Sequence, residues 1–165
     1  HGVVGTLVEF HGQAVTAVEA HVPPLIRHLV GRPMVPAPTP AYARLCLPLL
    51  AVLVLEDGTI NPRRFTAEAL ADPSLTEHAR ILTLVDDGTT DPNALSPQRL
   101  VITLASGETV ERPVAATLGA PGHPLTAEQA EAKRHLALSL AAEPLDNRAA
   151  ALLANDPLAF LTVSQ

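Results

Sequence analysis

The sequence feature that most constrains the fold is an apolar stretch from Leu45 to Leu55, which carries no charged residue. The stretch is too short to cross a bilayer, which needs about 20 apolar residues. Because it is apolar on every face, a helix formed by it must be buried on all sides. We predict a central core helix that starts at Pro40 and ends at Asp57-Gly58, where glycine can adopt a positive φ. Pro48 removes one backbone hydrogen bond, so the pattern also predicts a kink there.

Length and composition indicate one folded domain. The chain has 165 residues, of which 47% are hydrophobic and 2% aromatic, so its core must be built from Leu, Val and Ala. The net charge of −6 disfavours nucleic acid as a partner, because nucleic-acid-binding proteins normally carry a basic face. The single cysteine, Cys46, excludes an internal disulfide. Since the sequence also shows no signal peptide, we expect a cytoplasmic protein with no membrane partner.

The sequence predicts no metal site and no nucleotide cofactor. The seven histidines lack metal-ligand spacing, and Cys46 has no second cysteine with which to hold zinc. Gly119 and Gly122 lack the partner residues of either glycine-rich phosphate-binding motif. Cys46 itself is predicted to be buried and inert, because burial among apolar side chains raises the pKa of a thiol.

Hydrophobic patterns and turn residues predict an α+β fold. Two strands, 100–104 and 109–116, flank a segment with the chemistry of a hairpin turn, Ser106-Gly107-Glu108. The order of the elements predicts a two-layer sandwich of a mainly antiparallel sheet and helices, with the apolar helix buried at its centre. A single domain is expected to span residues 1–165. The remaining predicted elements are strands at 14–22 and 81–85 and helices at 3–10, 25–30, 66–70, 75–80, 126–141 and 146–154.

Four short segments between Leu47 and Lys133 occur in an order that resembles a known enzyme family. They are Leu47-Pro48 with the apolar helix up to Asp57-Gly58; Phe65–Pro73 with 81–85 and Asp91-Pro92; the hairpin 100–113; and Gly119–Thr126 leading to Glu131-Ala-Lys133. In this order they resemble the second, C-terminal domain of the MmgE/PrpD family. That family includes 2-methylcitrate dehydratase, cis-aconitate decarboxylase and iminodisuccinate epimerase.

The resemblance implies a lyase or epimerase that uses no metal or organic cofactor. Such enzymes act on small di- and tricarboxylates by moving a proton beside a carboxylate, and then eliminate, decarboxylate or epimerise. They are usually homodimers, and their site lies between a helical first domain and a smaller α+β domain. The helical domain is not in this sequence, so we expect a partner domain on which the last helix, at about 146–155, packs. The alternative is a non-catalytic lid and dimerisation module that needs a helical partner.

Four residues are candidates for the site, and each has an ordinary structural alternative. His1 resembles the histidine that opens the family's second domain, so it is the expected catalytic acid or base, or else a surface histidine. Lys133 resembles the family's lysine in the closing helix, and Arg44 precedes the apolar run. Both are expected to bind substrate carboxylates, or else to be solvated helix side chains. His123 is a third substrate-binding candidate, or else it shapes the turn before the next helix.

One position departs from the family pattern. The residue after Leu47-Pro48 is commonly aromatic in relatives and often a tyrosine that offers its hydroxyl to the site, whereas this chain has Leu49. Leucine cannot donate a hydrogen bond. The single tyrosine, Tyr42, lies about two helical turns earlier, which is roughly 11 Å of helix rise, so it does not simply substitute. The decarboxylase or dehydratase activity is therefore not expected to transfer directly to this chain.

Overall fold

The structure of the protein, a computed structural model, describes residues 1–140. It contains two compact units, one formed by residues 1–123 and one that begins at Pro124, and each is described by itself. The helix expected at 146–155 lies outside the described residues. The remaining elements that the sequence predicts are present, with small shifts at their ends, except that the central helix begins later than predicted.

The first unit contains six α-helices and four strands. The helices are α1 Gly2–Leu7, α2 Pro24–Val30, α3 Pro40–Ala43, α4 Leu47–Asp57, α5 Ala67–Leu70 and α6 Pro73–His78. The strands are β1 Val15–Val22, β2 Leu82–Asp86, β3 Gln98–Leu104 and β4 Thr109–Val114. Short 3₁₀ helices lie at Val8–Phe10, Pro62–Arg64 and Ala79–Ile81. In the second unit, helix α7 spans Ala127–Ser139.

The strands form one four-stranded sheet in the order β2-β1-β3-β4. β1 is parallel to β2 and antiparallel to β3, and β3 is antiparallel to β4. The turn between β3 and β4 uses Gly107 at a φ of 86°, a conformation that favours glycine. The predicted mainly antiparallel sheet is thus confirmed, because two of its three strand pairings are antiparallel.

One face of the sheet is buried and packs against α1 and α4. Along β1 the side chains of Val18, Ala20 and Val22 are buried, whereas the intervening Glu19 is exposed, as expected when alternate residues face opposite sides. Each fully buried valine side chain contributes about 1.5–3 kcal/mol of transfer free energy. The expected α+β sandwich is confirmed. The buried face shares one core cluster with residues of α1 and α4: Val3, Leu7, Leu47, Ala51 and Val54.

The central apolar helix is present and buried, but its predicted start and its kink are wrong. The chain forms two helices, α3 and α4, and the segment Arg44–Cys46 between them is not α-helical. Cys46 has an extended backbone there and pairs with Gly31 in an isolated bridge, so a tertiary contact interrupts the helix. Pro48 consequently lies in the first turn of α4, where its missing N–H has no helical acceptor to lose. It produces no kink in the interior of a helix.

The end of α4 is fixed by Gly58, as the sequence predicts. This residue has a φ of 69° and its N–H donates to the carbonyl oxygen of Val54. A Cβ at this position would lie 2.9 Å from the His11 ring, whose Nδ1 is in turn 3.0 Å from the Leu55 carbonyl oxygen. Backbone conformation and close packing therefore both require glycine here.

Helix α7 begins with the capping box that the sequence predicts. The Thr126 hydroxyl accepts a hydrogen bond from the Gln129 N–H, and the Gln129 side chain accepts one from the Thr126 N–H. Among the described residues, no helix is long and apolar enough to cross a membrane.

Candidate functional site

Strand direction places four strand ends together. Val22, the last residue of β1, pairs with Asp86 at the end of β2, and the neighbouring His21 pairs with Arg99 near the start of β3. Gln98, the first residue of β3, pairs with Val114 at the end of β4. All four strands therefore have one terminus at the same end of the sheet, which we call the Gln98 end.

Gln98 is the single buried polar side chain within the described part of the chain, at 6% exposure. Its Nε2 donates a hydrogen bond to the Leu95 carbonyl oxygen at 2.8 Å. Its Oε1 is buried without a hydrogen-bond partner. Gln98 was not predicted as a site residue, because a glutamine at the start of a strand is ordinarily a surface residue.

His1 lies at the Gln98 end. It is exposed and precedes α1, where its carbonyl oxygen accepts the Gly5 N–H at 2.8 Å. The next residue, Gly2, packs directly on Gln98, since a Cβ at Gly2 would lie 2.6 Å from Gln98 Oε1. An exposed imidazole at this position can exchange a proton with a bound molecule.

His123 belongs to a turn that follows β4 from the same end of the sheet. Its Nδ1 lies 3.1 Å from the Ala116 carbonyl oxygen, and its backbone hydrogen-bonds with Gly119 and Ala120. These contacts support the alternative that His123 shapes its turn. The turn also approaches α1, because a Cβ at Gly5 would lie 3.7 Å from Leu118. The structure thus brings His1 and the turn of His123 to one region.

Arg44 is exposed at the end of α3, and its guanidinium lies over the Phe65 ring at 5.8 Å from the centroid. It makes no ion pair within the described residues.

Lys133 is exposed on α7 of the second unit, and it too makes no ion pair within residues 1–140. Its neighbour Glu131 pairs instead with Arg134 and His135, and the Arg134 hydrogen bond is the main cause that lowers the pKa of Glu131.

Neither Leu49 nor its possible substitute Tyr42 offers a free hydroxyl group to a ligand. Leu49 is fully buried and packs in a cluster with Leu53, Phe65 and Leu70. The hydroxyl of Tyr42 donates to the Pro33 carbonyl oxygen at 2.8 Å. Tyr42 therefore holds the loop before α3 in place, and it does not replace the missing aromatic hydroxyl at position 49.

Cys46 is buried, as predicted, and its thiol donates to the Arg32 carbonyl oxygen at 3.3 Å. Burial raises the pKa of this thiol, although a backbone hydrogen bond from Leu49 partly opposes the effect. A thiol in this state is a poor nucleophile at neutral pH. Within residues 1–140, no three His, Cys, Asp or Glu side chains come together as a possible metal site.

A cleft of about 500 Å³ opens beside β2, and its lining includes Asp86 at the Gln98 end of the sheet. Pro48, in the first turn of α4, also lines the cleft. Its basic side chains come from α2 and the following turn: Arg27, His28 and Arg32. These residues were missed as site candidates, although three basic side chains within six residues are unusual in an acidic chain.

Sequence comparison supplies one match. The family model described as the MmgE/PrpD C-terminal domain matches residues 4–155. No curated protein is significantly similar in sequence to this chain.

Proposed function

Because the chain belongs to the MmgE/PrpD family, as its C-terminal domain, we propose that it is part of a cofactor-independent lyase or epimerase. The substrate is a small di- or tricarboxylate, and the reaction begins with removal of a proton alpha to a carboxylate. The observation that carries the proposal is the exposed position of His1, next to the Gly2–Gln98 contact, at the end of the sheet where all four strands have a terminus.

In the proposed reaction, His1 acts as the acid or base. An imidazole near neutral pH can accept a proton from carbon and return it to the leaving group or to the opposite face of the same carbon. Loss of the proton leaves the electron pair delocalised into the neighbouring carboxylate, which then carries additional negative charge. Cationic side chains stabilise this charge best when they are already positioned before the reaction. Arg44 and Lys133 are proposed for this role, with His123 as a further contact.

The proposed catalytic unit includes a helical partner domain and two copies of the chain, in the cytoplasm. Family enzymes form their site between two domains, and in this chain His1 is exposed. A second domain would exclude water from the reacting carbon and strengthen the charge interactions there. Within this proposal, the isolated chain has no activity.

A second candidate function is a non-catalytic lid and dimerisation module. The observation in its favour is the pair Leu49 and Tyr42, because the first has no hydroxyl and the second has its hydroxyl bonded to Pro33. A domain without that hydroxyl can still cover a site supplied by a helical partner.

The test is turnover by the chain alone and by the chain joined to a helical first domain of an MmgE/PrpD enzyme. Candidate substrates are 2-methylcitrate, cis-aconitate and an iminodisuccinate-type acid, followed by absorbance. We expect activity in the joined protein only, and a loss of about 10²-fold or more in kcat on His1→Ala. His78→Ala is the matched control, since His78 is exposed on α6.

Two results would contradict the proposal. Robust turnover by the isolated chain would show that the site is not shared with another domain. An unchanged kcat in His1→Ala of an active joined protein would remove His1 from the reaction, and would favour the lid function.

A further inference from the structure

The basic cleft has two kinds of lining. Pro48, Leu82 and Leu84 supply apolar surface, while Arg27 and Arg32 supply guanidinium groups. Among the described residues, Asp86 is the one carboxylate that lines it. The volume of about 500 Å³ is in the range of small-molecule sites.

The positive charge of the cleft is incompletely neutralised by protein groups. Five other arginines of the described chain have a carboxylate partner: Arg64, Arg80, Arg99, Arg112 and Arg134. Arg32 has no carboxylate partner within residues 1–140, and its guanidinium lies over the Tyr42 ring at 5.3 Å from the centroid. Contact through the face of the guanidinium leaves its N–H donors directed outward. Arg27 contacts Asp86 at 3.3 Å, in a pair that is about half exposed.

The turn between the two arginines is rigidly held. The Gly31 N–H donates to the Arg27 carbonyl oxygen at 2.9 Å, and a Cβ at Gly31 would lie 2.4 Å from that same oxygen. The Arg32 carbonyl oxygen accepts from the Cys46 thiol. The backbone positions of both arginines are therefore fixed by contacts that do not involve their guanidinium groups, which lowers the entropic cost of binding a ligand.

We propose that this cleft binds a small anion through at least two carboxylate groups, one on Arg32 and one on Arg27. Each guanidinium offers the planar, paired donors that match a carboxylate. The apolar surface of Leu84 and Pro48 suits the carbon chain between two carboxylates, which an inorganic anion lacks. The inference deepens the proposed function and rests on its polycarboxylate substrate class.

Asp86 limits the affinity of the cleft. Its carboxylate contacts Arg27 and repels an incoming anion, so binding must displace it or share the guanidinium with it. Removing this charge while keeping the shape of the side chain, as in Asp86→Asn, should therefore strengthen binding.

The experiment is an NMR titration of the isotope-labelled 165-residue chain with citrate, acetate and inorganic phosphate, at constant ionic strength. We expect saturable amide shifts in 24–33 and 82–86, with citrate binding tighter than acetate or phosphate. Arg32→Gln and Arg27→Gln should each weaken citrate binding about tenfold or more, since a charge-assisted hydrogen bond is lost. Asp86→Asn should tighten it. Arg80→Gln, an exposed arginine paired with Glu77, should leave it unchanged.

Arg32→Lys keeps the charge but not the paired donors, so it should bind citrate with intermediate affinity. The proposal is overturned if citrate produces no saturable shift at these amides, or if the Arg27→Gln/Arg32→Gln double variant binds it as well as the parent does. Tighter binding of phosphate than of citrate overturns the carboxylate assignment. The titration needs no turnover, so its failure is distinct from a failure of the His1 test.

Discussion

The Nη1 group of Arg64 donates a hydrogen bond to Asp57 Oδ1 at 2.7 Å, while Nη2 of the same guanidinium donates to Glu56 Oε2 at the same distance. These bonds join the last turn of α4 to the 3₁₀ helix Pro62–Arg64. The Glu56 hydrogen bond is the main cause that raises the pKa of Arg64, and the Asp57 charge adds to it. One arginine thus holds the segment that follows the central helix.

Arg64→Gln should lower the free energy of unfolding by about 1–2 kcal/mol, because two charge-assisted hydrogen bonds are lost at a partly buried site. Urea unfolding measures the change. Arg80→Gln is the matched control, because the Arg80–Glu77 pair is exposed and should contribute less than about 1 kcal/mol. Equal losses in the free energy of unfolding would contradict the expectation that the hydrogen bonds of Arg64 contribute more than the exposed Arg80–Glu77 pair.

Gly2→Ala should destabilise the first unit, because the added Cβ would lie 2.6 Å from the buried Gln98 amide. We expect a loss of about 1–3 kcal/mol, the usual range for overpacking. Gly5→Ala in the same helix is the control, since its Cβ would make an ordinary contact of 3.7 Å with Leu118. Alanine is the better helix former, so thermal unfolding should show Gly5→Ala to be neutral or stabilising. Similar losses in both variants would show that Gln98 is not the cause.

Cys46 should make the fold less stable at alkaline pH. Burial raises the pKa of its thiol in the folded chain, so the thiol stabilises the fold fully below the unfolded-state pKa of about 8.5. This contribution is lost as the pH rises through the higher folded-state value. Urea unfolding in reductant between about pH 7 and 10 should show a fall in stability that is smaller in Cys46→Ala. An identical pH dependence of the free energy of unfolding in the parent chain and in Cys46→Ala would contradict this prediction.

Native alkylation gives an independent measurement on the same residue. Iodoacetamide should modify Cys46 slowly in the folded chain and rapidly in urea, because the thiol is buried and donates to the Arg32 carbonyl oxygen. Rapid modification without unfolding would mean that the segment around Cys46 opens readily.

Features specified by neighbouring residues were predictable from the sequence. The hairpin around Gly107 and the Thr126 capping box depend on residues within four positions of one another, and both are present. The burial of α4 was predictable because it is apolar on every side. Its start was not, since the contact between Gly31 and Cys46 interrupts the helix and no local pattern shows that contact.

The parts of the candidate site that escaped prediction depend on distant residues. Gln98 is buried because Gly2, far away in the sequence, packs on it. Arg27 and Arg32 line a cleft only because β2 places Leu84 and Asp86 opposite them. His1 was predicted by resemblance, and in the structure it precedes Gly2, which packs on Gln98.

The position of β1 inside the sheet has a consequence for how the chain folds. Val18 pairs with Leu82 on one side and with Ile102 on the other, so neither neighbour of β1 is close to it in sequence. Such distant pairings require large loops to close before β1 makes any strand contact, which slows folding. During synthesis, β1 therefore has a partner strand on both edges only after β3 has emerged from the ribosome. Slow folding of the first unit, with β3 and β4 associating early as a local hairpin, is the expected kinetic behaviour.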